Sequence, residues 1–127
     1  MKKEWAYVPE CLYRSGNSSS PKLDHVRINR GPDKDDDIAT TVINGITYVY
    51  PNTGGISVFN TPDYTLSKKW WICYANVILP SKLILVHDST AFNGCKHFTI
   101  SPKYFMTLDE YKKQLINFEK CFQKHFM

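Results

Sequence analysis

Between Ile38 and Phe59 the chain carries three short runs, IATTVI, ITYVY and GGISVF, dense in β-branched and aromatic residues and punctuated by turn residues. Such runs predict strands. Asn44-Gly45 separates the first two and is hairpin chemistry, since both residues tolerate positive φ. Pro51-Asn52 with Gly54-Gly55 separates the second from the third and supplies a chain reversal. Upstream, CLYRSG predicts a strand that places Leu12 and Arg14 on one face and Tyr13 and Ser15 on the other, with Gly16 ending it. Downstream, SKLILVHDS and KHFTISP predict two strands that pair as an antiparallel hairpin through TAFNG, with Asn93-Gly94 as its turn. Alternation sends His97 away from the face of Phe98 and Ile100.

The period changes near the C-terminus. Leu108, Tyr111, Leu115, Phe118 and Phe122 recur at helical spacing, and Thr107 with Glu110 reads as a capping box, so an amphipathic helix is expected over about 108 to 124. Cys121 and Phe126 extend its apolar stripe. Two segments are less regular. Residues 17–37, NSSSPKLDHVRINRGPDKDDD, read as a long surface loop because a serine run, two prolines and three consecutive aspartates argue against a packed element. In TPDYTLSKKWWICYANVILP, Asp63 suits a helix start, while Trp70 to Leu79 suits a strand or an irregular core segment. Trp70 and Trp71 read as neighbours, one in the core and one at the surface. The expected class is α+β, with a mostly antiparallel sheet, in a single domain over residues 1–127.

Composition narrows the function classes. No apolar run approaches the ~20 residues of a membrane span, since YANVILP stops at Pro80 and LILV stops at His87. The start MKKEWAYVPE has no apolar stretch of the signal-peptide type. A cytoplasmic site of action is the expectation. The four cysteines contain no C-x-x-C pair, and the four histidines take no ligand spacing with them. No metal site and four reduced thiols are expected. A net charge of +4 suits an anionic cofactor, an acidic partner or RNA.

Three strings in order, LYRSG near the start, YPNTGGISVF in the middle and ILPSKLILVHDS leading to HFTISP, resemble the ADP-ribosyltransferase-like toxins delivered by bacterial type VI secretion. The likeness runs from Leu12 to the C-terminal helix and leaves the 17–37 loop and KKWW unmatched. It implies a split, mostly antiparallel sheet with an NAD-holding cleft of the diphtheria-toxin kind. It also implies NAD as substrate, growth arrest of a target cell through an unknown macromolecular target, and a cognate immunity protein that covers the cleft.

NAD presents a pyrophosphate, two riboses and an amide, so a site needs a cation, a close backbone and hydroxyls. On that reading Arg14 binds the pyrophosphate. Gly16, Gly54 and Gly55 let the backbone approach the cofactor, and Ser57 and Thr53 donate to ribose or amide oxygens. Arg14, Gly54, Gly55 and Ser57 are then expected to line one cleft. Transferases of this broad fold carry a late glutamate, yet none lies between Glu10 and Glu110. Asp88 is the nearest acidic candidate, and His97 offers a hydrogen bond. Plainer roles stay open: Arg14 packed on Tyr13, Ser57 on a half-exposed strand face, His97 structural, Asp88 capping a turn. Two other classes also stay open. One is a ribonuclease with His97 or His87 as base; the other is a non-catalytic binding module.

Overall fold

The computed structural model describes residues 3–90 and 94–126. Its architecture is α+β, and every strand pairing among these residues is antiparallel. The strands are β1 (Lys3–Trp5), β2 (Leu12–Ser15), β3 (Thr40–Ile43), β4 (Ile46–Val49), β5 (Ile56–Phe59), β6 (Lys69–Cys73), β7 (Leu83–Thr90), β8 (Lys96–Pro102), β9 (Met106–Thr107) and β10 (Gln123–Phe126). One helix, α1 (Leu108–Glu119), precedes β10. Seven strands form the main sheet in the order β1-β7-β8-β5-β2-β6-β10, and a small second sheet has the order β3-β4-β9.

Alternation along the central strands makes the main sheet two-sided. Leu12, Ile56, Val58, Phe98, Ile100, Leu83 and Leu85 are essentially fully buried. They share one core cluster with Tyr111, Leu115 and Phe118 of α1. Each such side chain contributes roughly 1.5–3 kcal/mol by leaving water, so the helix face of the sheet is where the fold is held. The register Tyr13↔Phe59, Ser57↔Thr99 and Phe59↔His97 puts Tyr13, Ser57, Phe59, His97 and Thr99 on the opposite face. That second face carries polar groups.

The expected β3–β4 hairpin is present, and Asn44 and Gly45 take φ of 52° and 78°. The β7–β8 hairpin is present too, although Asn93 lies outside the described residues. The helix ends at Glu119, earlier than the spacing predicts. Cys121 and Phe122 make tight turns back to Phe118 and Glu119, and Gln123–Phe126 then adds an edge strand to β6. This pairing satisfies the backbone of residues 123–126 and covers an otherwise open edge of β6. Phe126 therefore leaves the helix stripe and lies 5.8 Å from Trp71, ring to ring. The cap is half of a capping box: the Glu110 amide donates to Thr107 Oγ1, while the Glu110 carboxylate accepts from Lys82 and Gln114.

The 17–37 segment contains no helix or strand, as expected, but it is not merely superficial. Leu23 and Val26 are buried in the core, because two apolar residues in a polar stretch are enough to anchor it. Trp70 and Trp71 are both buried, on opposite faces of β6, since Trp71 joins the core cluster while Trp70 packs by Phe59 and donates to the carbonyls of Asp63 and Ser67. Among the described residues no helix is long and apolar enough to cross a membrane.

Candidate functional site

The polar face of the main sheet gathers its reactive groups on β5, β7 and β8. Opposite β8, the β7 ladder steps from His87 facing Phe98 to Ser89 facing His97, which leaves Asp88 as an extra residue in a bulge. Bulges re-aim side chains. Here the Asp88 carboxylate receives two bonds: one from His97 Nδ1 at 2.5 Å and one from Thr99 Oγ1 at 2.6 Å. His97 Nε2 lies 2.9 Å from Ser57 Oγ. Because a carboxylate only accepts, Nδ1 carries a proton, and in the neutral imidazole Nε2 is then the acceptor to which the Ser57 hydroxyl donates. Ser57, His97 and Asp88 thus form one continuous hydrogen-bonded chain across three adjacent strands. The His97 and Asp88 side chains keep 27% and 23% exposure, so a ligand can reach them.

Arg14 reaches this assembly from the other side. By register, Tyr13 and not Arg14 shares a face with Ser57, so the side chains of Arg14 and Ser57 leave their strands toward opposite faces. The expectation of a single cleft lined by both side chains is corrected to that extent. β2 and β5 pair only at Tyr13 and Phe59, and where they diverge Arg14 Nη1 donates to the Ser57 carbonyl at 3.0 Å. Nε and Nη2 donate to the carbonyls of Pro21 and Lys22 at 3.3 and 3.4 Å. Among the described residues Arg14 makes no ion pair. Burial pushes its pKa down, against the pull of the nearby Asp37. A half-buried guanidinium satisfied by carbonyls alone keeps its charge and two spare N–H donors.

The glycines serve the chain itself. A Cβ on Gly16 would strike the Ser20 carbonyl and come within 2.7 Å of Pro21 Cα. At Gly54, with φ +130°, it would strike the Asp37 carbonyl; at Gly55, with φ +153°, the Ile100 carbonyl and, at 2.7 Å, the Tyr111 hydroxyl. These close approaches are between segments of the protein, not to a cofactor cradle. Thr53 is likewise occupied: its hydroxyl donates to the Tyr50 carbonyl and accepts from the Ala39 amide.

Two hollows lie along this face, one at Asp88 and Thr99 and one beyond Phe59, and neither is lined by Ser57 or His97 themselves. A small one, about 50 Å³, is lined by Glu4, Asn52, Gly54, Asp88, Thr99 and Ser101. A larger one, about 420 Å³, is walled by Phe59, Pro62, Tyr64, Leu66 and Trp70. The Phe59 ring touches both sides of the arrangement, 5.3 Å from the His97 ring and 6.4 Å from that of Trp70. Sequence reasoning missed Thr99 and Ser101, although the alternation of KHFTISP puts both on the face of His97. It also missed Glu4, whose strand β1 joins the far edge of the sheet and sets it opposite Val86. A search for a late glutamate does not look at residue 4.

No curated protein sequence matches the chain closely enough to supply a relative. Residues 11–126 match the family model described as Tse2 ADP-ribosyltransferase toxin, a span that contains Arg14, Ser57, Asp88 and His97 and omits Glu4. That match extends over nearly all of the chain and agrees with its antiparallel α+β architecture: the protein belongs to the Tse2 ADP-ribosyltransferase toxin family of bacterial type VI effectors.

Proposed function

We infer that this toxin consumes NAD, with the nicotinamide ribose held against the Ser57–His97–Asp88 chain. The observation that carries the reading is the convergence on one residue, Ser57, of a polarised hydroxyl on one face and a cation without a counter-ion on the other. Arg14, through its spare N–H donors, binds the pyrophosphate at the divergence of β2 and β5. The aromatic hollow beside Phe59 takes the nicotinamide ring; its size and lining are those of a small-molecule site. Asp88, with Glu4 on the other side of the small hollow, supplies the negative field that favours an oxocarbenium-like ribose as nicotinamide leaves. NAD presents a positively charged pyridinium and two hydroxylated sugars, which answer the polar face in kind, and a dianionic pyrophosphate, which answers the Arg14 guanidinium where β2 and β5 part.

Residues 1–127 work on this reading as one catalytic domain in the cytoplasm of a competing bacterium, either transferring ADP-ribose to a macromolecule or hydrolysing NAD. A cognate immunity protein neutralises it by covering the Ser57–His97 face. The net charge of +4 steers an acidic partner toward it.

The test is nicotinamide release from NAD by the purified chain, set beside growth of cells expressing it. Ser57→Ala and His97→Ala are expected to stop release and to restore growth while the proteins unfold at the wild-type temperature. Folded variants that still arrest growth would remove these residues from the mechanism. RNA cleavage without NAD would replace it with a ribonuclease.

A further inference from the structure

A serine that merely held the ribose or the amide of NAD would need no base. Ser57 has one 2.9 Å away, and that base is itself oriented by a carboxylate which is pinned by Thr99. This is the arrangement that activates a hydroxyl as a nucleophile. We propose that Ser57 is a covalent acceptor: its Oγ attacks C1′ of the nicotinamide ribose and becomes ADP-ribosylated. The proposal rests on the NAD reading above and adds to it the fate of the sugar.

The step balances without any further reagent. The bond from C1′ to the pyridinium nitrogen breaks, its electron pair staying on the ring, and neutral nicotinamide departs. A bond from Ser57 Oγ to C1′ forms. The hydroxyl proton passes to His97 Nε2, and Asp88 offsets the charge of the resulting imidazolium until the proton returns to solvent. NAD is the only co-reactant, and nothing is oxidised or reduced.

The surroundings favour attack at a sugar carbon over attack at a carbonyl. Ser57 sits in the middle of β5, whose backbone is paired with β8 from Ile56 to Phe59. Acyl transfer generates an oxyanion that needs free N–H donors aimed at it. The amides of β5 lie in the plane of the sheet, Ile56 and Val58 toward β8 and Ser57 toward β2, so none is aimed at an oxygen on the face that carries the hydroxyl. Displacement at an anomeric carbon creates no such oxyanion, and its cationic transition state gains from the carboxylates of Asp88 and Glu4 in the adjoining hollow. Ser57 is only half-buried, and its hydroxyl shares the polar face with Asp88 through His97.

The experiment mixes the whole chain, in excess, with NAD and quenches in acid over a time course. Intact mass, peptide mapping and released nicotinamide are read from the same samples. The expected result is one ADP-ribose per modified chain, on the peptide carrying Ser57, formed in step with nicotinamide. The linkage should survive neutral hydroxylamine, as an O-glycoside does, whereas an ester on Asp88 or Glu4 would be cleaved. Ser57→Ala should form no adduct, and because the site is mapped on the wild-type chain the result does not depend on how that variant folds. Nicotinamide released with no adduct at any time, an adduct on another residue, or a hydroxylamine-labile one would each overturn the proposal and leave NAD consumption standing. Absence of nicotinamide would overturn both.

Discussion

Replacing Gly55 by alanine separates a glycine kept for packing from one kept for a ligand. The added Cβ would overlap the Ile100 carbonyl and press on the Tyr111 hydroxyl, and both are fixed, because Tyr111 is fully buried and donates to that same carbonyl at 2.6 Å. Overpacking of this kind costs about 1–3 kcal/mol. Breaking the Tyr111 bond adds about 0.5–1.5 kcal/mol, and an alanine at φ +153° adds backbone strain on the order of 1 kcal/mol. The expected loss is therefore roughly 3–5 kcal/mol. For a chain of this length each kcal/mol lowers the melting temperature by about 4 °C, so a fall of roughly 10–20 °C should appear in a thermal scan. Urea unfolding, at a slope of about 1–3 kcal/mol/M, should show its midpoint drop with the slope unchanged. Any activity lost by Gly55→Ala should be lost in proportion to the unfolded fraction and recovered on cooling. A variant with wild-type stability and abolished NAD turnover would refute the packing argument and restore a cofactor role for Gly55.

Thr99→Val removes the donor to Asp88 at nearly constant volume; a charge-assisted bond of this type is worth roughly 1.5–3 kcal/mol, and nicotinamide release should slow by about tenfold or more if that orientation is felt in the transition state. Its melting temperature should fall by less than that figure alone would give, because Asp88 retains solvent contact and His97. Acid sensitivity follows from Glu110, whose pKa is lowered first by the hydrogen bond from Lys82 and then by that from Gln114. Its folded-state value lies below its unfolded one, so its stabilising effect is present above the ordinary carboxylate range and lost as pH falls through the lowered value. Thermal scans from pH 6 downward should show a steeper acid decline for the wild type than for Glu110→Gln.

Much of the sheet was legible because its signals are local. Asn44-Gly45 fixes its own hairpin, and KHFTISP announces which residues share the face of His97. The helix start was legible through Thr107, but its end was not. Leu115, Phe118 and Phe122 keep helical spacing past the point where an unpaired edge of β6 claims the chain, and that edge is invisible until the sheet is assembled. The same gap explains Arg14. The strand and its alternation were readable, yet the register with β5 is a property of two segments 40-odd positions apart, and it assigns Tyr13 to the face of Ser57. The glycine pair illustrates a different ambiguity. Close approach requires glycine whether the partner is a cofactor or another loop, and only the neighbours Asp37, Ile100 and Tyr111 tell the two apart.

The strand order of the main sheet has a consequence for when the protein becomes dangerous. β5 lies between β8 and β2, so Ser57 meets His97 across a separation of 40 residues and Arg14 across 43. Closing loops of that length costs chain entropy before any contact repays it, and sheets made of such pairings fold slowly. His97 is also synthesised after Ser57 and Arg14, and Asp88 is held by a bulge that exists only once β7 and β8 have paired. An unfolded copy carries Arg14, Ser57, Asp88 and His97 but no aligned hydroxyl, imidazole and carboxylate. If NAD is consumed at Ser57 as proposed, the producing cell has an interval, set by the docking of β5 onto β8, in which a newly made toxin is still chemically inert.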